Sequence, residues 1–121
     1  MDDLTADSVM ELHSGIMERD GGDTRLVSEA ALHQMIFQAN LADTPFSRAA
    51  LVLYWLSSFQ VFREGNCRSA RAIAVKIFDS EGYDVELGGD GFPGLIRGIG
   101  TFTVDADGIE DWLRSHARKR N

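Results

Sequence analysis

Between Glu64 and Arg71 the chain reads Glu-Gly-Asn-Cys-Arg-Ser-Ala-Arg, a glycine and an asparagine leading directly into two arginines. Gly65 can adopt a positive φ and Asn66 is suited to an N-cap. Ala70, Ile73, Ala74, Ile77 and Phe78 then repeat on one helical face, so the pattern predicts a loop that opens a helix. A helix N-terminus exposes unpaired N–H groups and the positive end of the dipole. Gly65, Asn66 and Cys67 would therefore offer backbone donors to a phosphate, and Arg68 and Arg71 would add side-chain donors. Glu64 beside them can hold Mg²⁺, an ion that usually takes one or two protein carboxylates and fills its shell with phosphate oxygens and water. Taken without any relative, the same residues also describe an ordinary helix start with a solvated arginine face.

Such a loop needs a rigid support, and the sequence supplies one just before it. Ala49 to Phe59 is an almost unbroken apolar run whose length suits a buried helix, the expected spine of the fold. Upstream, Thr5 caps a helix running to about Arg19, Gly21-Gly22 ends it, and Ser28 caps a second with Leu32, Met35, Ile36 and Ala39 inward. Asp43 to Phe46 reads as a turn before the spine. Downstream, Gly82 stops the fourth helix and Tyr83 to Leu87 alternates like a short strand. Gly88 to Gly91 is a turn, Phe92 to Ile99 is helix-compatible despite Gly94 and Gly98, and Ile109, Trp112 and Leu113 give a last helix its apolar side. The expectation is an all-α, six-helix bundle forming a single domain over residues 1–121.

Extended to Gln60, the segment resembles the Fic/Doc family signature, His-x-Phe-x-[Asp/Glu]-Gly-Asn-x-Arg-x-x-Arg. Phe62, Glu64, Gly65, Asn66, Arg68 and Arg71 fall in register, and Gln60 stands where the family has its His. The flanks extend the likeness to Doc-type (death on curing) proteins. Leu4-Thr5, Glu11-Leu12-His13 and Gly21-Gly22 resemble their opening helix and glycine pair; Ser28 to Ile36 and Thr103 to His116 resemble their second and closing helices.

The resemblance implies a transferase acting on Mg-ATP. In the family the His accepts a proton from a hydroxyl of a target protein, which attacks a nucleotide phosphate; Phe62 would anchor the loop and Glu64 would coordinate Mg²⁺. Gly65, Asn66 and Cys67 would form the anion cradle, and Arg68 and Arg71 would contact phosphate. Fic members commonly transfer AMP, whereas Doc transfers the terminal phosphate. Arg71 resembles the first group, the length and flanks resemble Doc, and Cys67 matches neither. A glutamine amide can position a hydroxyl but cannot accept its proton near neutral pH, so Gln60 implies impaired turnover with phosphate binding retained. The alternative is a catalytically inactive binding module acting through phosphate or protein contacts. His13, His33 and His116 fall on other predicted helices, His13 at the edge of an apolar stripe, and none is expected to replace the missing base. Doc-type proteins are restrained by a small antitoxin, which the resemblance makes a possible partner. The family's own inhibitory pattern finds only Ser14 to Glu18, and Arg19 spoils its last position.

Composition excludes several other classes. A formal charge of −7 argues against a nucleic-acid surface, and the basic cluster of Arg114, Arg118, Lys119 and Arg120 reads as a solvated end of the last helix. The single cysteine, Cys67, permits no internal disulfide, so a reducing compartment is the natural setting. No run reaches membrane-span length, and the Asp2-Asp3 start lacks the charged-then-apolar pattern of a secretion signal. A cytoplasmic location without membrane partners is expected.

Overall fold

Four of the amphipathic segments are each started by a side chain that takes one of their orphan amides. Thr5, Ser28, Thr44 and Asp105 accept hydrogen bonds from the amides of Ser8, Ala31, Ser47 and Gly108, fixing the starts of four helices. In chain order the helices are α1 (Ala6–Asp20), α2 (Glu29–Leu41), α3 (Pro45–Ser58), α4 (Asn66–Ser80), α5 (Gly91–Gly100) and α6 (Ala106–His116); β1 (Tyr83–Val85) and β2 (Ala117–Lys119) complete the set. The computed structural model describes residues 1–120. Among the described residues the architecture is all-α, with six helices and one two-stranded antiparallel ribbon.

The third helix is the spine that its apolar run predicts. Ala49, Ala50, Val52, Leu53 and Leu56 are at most 2% exposed, so this helix is packed on several sides at once, against α2, α4, α5 and α6. It begins earlier than expected: the bend before it is confined to Asp43 and Thr44, and Pro45 and Phe46 already belong to the helix, which Thr44 caps and Pro45 opens with a preset φ. Arg48 on its first turns is 3% exposed. Its guanidinium donates to the carbonyls of Ala39 (3.0 Å), Asn40 (3.3 Å) and Asp2 (2.7 Å), satisfying the end of α2 and tying down the N-terminal segment. Asn40 adds a reciprocal pair with the backbone of Leu4.

The C-terminal basic cluster differs from expectation. Rather than trailing from α6 as a solvated end, residues 117–119 form β2 and pair with β1 in the register Tyr83↔Lys119, Asp84↔Arg118 and Val85↔Ala117. Arg120 then donates to Asp84 at 2.7 Å and to the Asp79 carbonyl at 2.8 Å. The helix itself starts at Ala106, because Thr101 and Thr103 use their hydroxyls to close α5 on the carbonyls of Arg97 and Gly98. Gly98 is required by close packing: a Cβ there would lie 2.6 Å from Val104 Cγ2.

Candidate functional site

The loop between α3 and α4 is held by the residues on either side of it in space, most of them far away in sequence. Val61 and Phe62 are buried, and the Val61 carbonyl accepts from the amides of Val27 and Ser28 at 2.8 and 3.1 Å. Arg63 donates its amide to the Arg25 carbonyl at 2.9 Å, and Leu26 bridges Phe62. The connection between α1 and α2 thus runs alongside the loop as a short paired edge.

The helix start is built differently from the sequence expectation. Gly65, with φ 79°, is the N-cap, and Asn66 is the first helical residue. The Asn66 side chain turns back instead, accepting from the Phe62 amide at 3.0 Å and donating to the Phe62 carbonyl at 2.8 Å. This double bond locks the loop into one shape. The positive φ is what calls for glycine at this position; a β-carbon there would also press on the flexible end of Met17. The Ser69 amide closes the first turn on the Gly65 carbonyl at 2.9 Å. Among the described residues the amides of Asn66, Cys67 and Arg68 have no protein acceptor, the condition for an anion site at a helix start.

The side chains assigned to phosphate and metal lie around this start and are engaged elsewhere. Arg68 pairs with Asp20 at the end of α1, at 3.3 Å and exposed on both sides. Arg71, about one turn further along α4, has its guanidinium 6.0 Å from the Phe92 ring centroid. Cys67, immediately before Arg68 in sequence, is exposed. Glu64 accepts from the Asp23 amide at 2.6 Å, and a β-carbon on Gly22 would come within 2.7 Å of the same oxygen. Gln60 is exposed and donates to the Arg63 carbonyl at 3.3 Å. Asp20 and Asp23 have lowered pKa values: hydrogen bonding to Arg19 acts first on Asp20, and hydrogen bonding to Arg25 holds Asp23 at about 2.

One residue of the site was misplaced by the sequence pattern. His13 is not at the edge of a stripe; it is 1% exposed directly beneath the loop. Its ring stacks on Phe62 with centroids 3.7 Å apart and planes 7° from parallel, and its Nε2 lies 2.7 Å from the Glu64 carbonyl oxygen. Only the identity of a histidine in the apolar face of α1 could have signalled this, since a buried imidazole must find a partner. Among the described residues no three His, Cys, Asp or Glu side chains converge as a metal cage, so a cation here would depend on ligands brought by a polyanion. A groove of about 590 Å³ between the N-terminal segment, α1 and α4 touches none of these residues.

Comparison with known proteins supplies the remaining evidence. A family model matches residues 3–78, more than half of the chain, including the whole of α1 to α3 and all but the last two residues of α4; it is described as the Fic/DOC family. No curated protein matches the sequence.

Proposed function

From the premise that this chain belongs to the Fic/DOC family, we propose that it is a Doc-like protein whose α4 N-terminus binds the phosphates of Mg-ATP. Its transfer of a phosphoryl or adenylyl group to a protein hydroxyl is impaired by Gln60. The observation that carries this is the preshaped helix start: three amides without acceptors, behind a loop that Asn66 locks from within. Amides that need no rearrangement bind an anion without the cost of ordering the loop. Arg68 would complete the cradle by leaving Asp20, which is easy because that pair is solvent-exposed and weak.

The chemistry at the reacting hydroxyl falls to position 60. Phosphoryl transfer joins the target oxygen to the γ-phosphorus with release of ADP; adenylyl transfer joins it to the α-phosphorus with release of pyrophosphate. Either way the hydroxyl proton must go to a base, and the Gln60 amide can orient the hydroxyl but not take that proton. Loss of a general base costs on the order of 10²- to 10⁴-fold in rate. His13 does not compensate, since it is buried and its Nε2 is committed to the Glu64 carbonyl. Mg²⁺, when bound with the nucleotide, would neutralise phosphate charge. Glu64 fits as its one carboxylate ligand, already oriented by the Asp23 amide.

The second functional class is a binding module without turnover, and one observation favours it: Glu64 and Arg68 both have intramolecular partners. The proposal includes a protein target with a hydroxyl acceptor and a small antitoxin partner, by analogy with Doc, in the cytoplasm. Among the described residues no helix is long and apolar enough to cross a membrane. Incubation of the protein with lysate and Mg-ATP labelled at the α or γ phosphate tests it, with wild type and Gln60→His in parallel. The Gln60→His protein is expected to label a target at least about 100-fold faster than wild type. Label from only one phosphate identifies the group transferred. No label in either protein, with no ATP-dependent rise in melting temperature, would favour the binding module and reject the cradle.

A further inference from the structure

We propose that His13 is the positioning residue of this loop, a role that rests on the phosphate-site reading for its function but not for its geometry. Two contacts carry it. The flat stack on Phe62 fixes the beginning of the tight segment from Phe62 to Gly65, and the bond from Nε2 fixes the end of it, at the carbonyl that precedes the positive-φ glycine. A carbonyl oxygen only accepts, so Nε2 carries the proton and the imidazole acts as donor. Rotation of the peptide between Glu64 and Gly65 would swing that carbonyl away from α1. It would also reorient the Gly65 backbone and the Glu64 side chain on either side. His13 therefore holds the direction in which the Glu64 carboxylate and the first amides of α4 face.

The rest of α1 makes the arrangement rigid. His13 is supported from the next turn by Met17, 2% exposed, whose sulfur lies 3.1 Å from the position a Gly65 β-carbon would take; the same residue approaches Gly22. Asn66 restrains the loop from inside and His13 from beneath, through different backbone atoms: the Phe62 amide and carbonyl for Asn66, the Glu64 carbonyl for His13. Neither replaces the other. Because His13 touches neither the exposed ends of Arg68 and Arg71 nor Gln60, it acts through the backbone it orders.

Three proteins test this: wild type, His13→Phe, which keeps a flat ring against Phe62 but has no donor, and His13→Gln, which keeps a donor but loses the stack. Amide exchange by mass spectrometry is measured over residues 60–68 and over α3 and α6, and Mg-ATP affinity is measured by titration calorimetry. His13→Phe is expected to lose about five- to tenfold in protection at residues 60–68 with α3 and α6 unchanged, and about the same in Mg-ATP affinity. His13→Gln should recover much of the affinity and part of the protection. Unchanged exchange at residues 60–68 in His13→Phe, or an equal loss throughout the protein, would overturn the proposal. If the loop loosens as expected while wild type binds no Mg-ATP, the positioning role stands and the nucleotide reading falls instead.

Discussion

The first four helices and the last two are joined to the same spine by different means. In α1 to α4 the polar contacts reach across the chain: His13 to Glu64, Asp23 to Glu64, Asp20 to Arg68 and Leu4 to Asn40 each join residues at least 36 positions apart. In α5 and α6 the polar contacts are mostly local. Thr101 and Thr103 bond within five residues, and Asp105 caps its own helix; the exceptions are the His116 carbonyl, which accepts from the Glu86 amide at 3.0 Å, and Arg120, which reaches Asp84. What α6 gives the spine is apolar, chiefly Ile109 and Leu113, both fully buried. Hydrogen bonds are directional and burial is not, so the first region specifies a geometry while the second supplies closure. The family match, over residues 3–78, falls on the region with the directional contacts.

The largest effect that tests this contrast comes from truncating one core residue in each region. Phe62→Ala and Leu113→Ala should each destabilise the fold by about 3–5 and 2–5 kcal/mol respectively, measured by urea denaturation. Only Phe62→Ala should also increase exchange at residues 60–68 beyond its global effect. Equal loosening of that loop in Leu113→Ala would break the distinction.

A smaller effect isolates direction from volume. Asn66→Ala removes little apolar contact but leaves the Phe62 amide and carbonyl without their partner, at a cost of about 1–3 kcal/mol. It should abolish Mg-ATP binding while the melting transition stays cooperative. Retained binding at wild-type affinity would mean that the loop shape does not depend on this side chain.

The smallest effect is acidic. The Asp23 carboxyl is held at about 2 against its ordinary 3.8 by Arg25, so its ionised form is favoured in the folded protein. A depressed folded pKa contributes stability above the unfolded value, and that contribution is lost as pH falls from about 4 to about 2. Because the group is exposed, the expected change in melting temperature is slight. Asp23→Asn should flatten the profile in that window, and an unaltered slope would show that the pair forms equally well in the unfolded chain.

Much of this molecule is determined by sequence alone. Caps at Thr5 and Ser28, the apolar run of α3 and the glycine before Asn66 specify local structure through interactions within a few residues, so helix number and the place of the loop can be read directly. Tertiary structure decided what those residues do to one another. Asn66 reads as a cap, but Phe62, once buried, presents an amide and a carbonyl at the distance its side chain spans. His13 reads as a stripe residue, but the folding of α1 against α4 brings the Glu64 carbonyl to its ring. The basic cluster reads as a solvated end, but β1 offers it an edge and Asp84 a charge. Local pattern fixes where a donor lies along the chain. Which acceptor it meets depends on how the helices pack, because a hydrogen bond requires a partner within about 3 Å and sequence spacing sets that distance only for near neighbours.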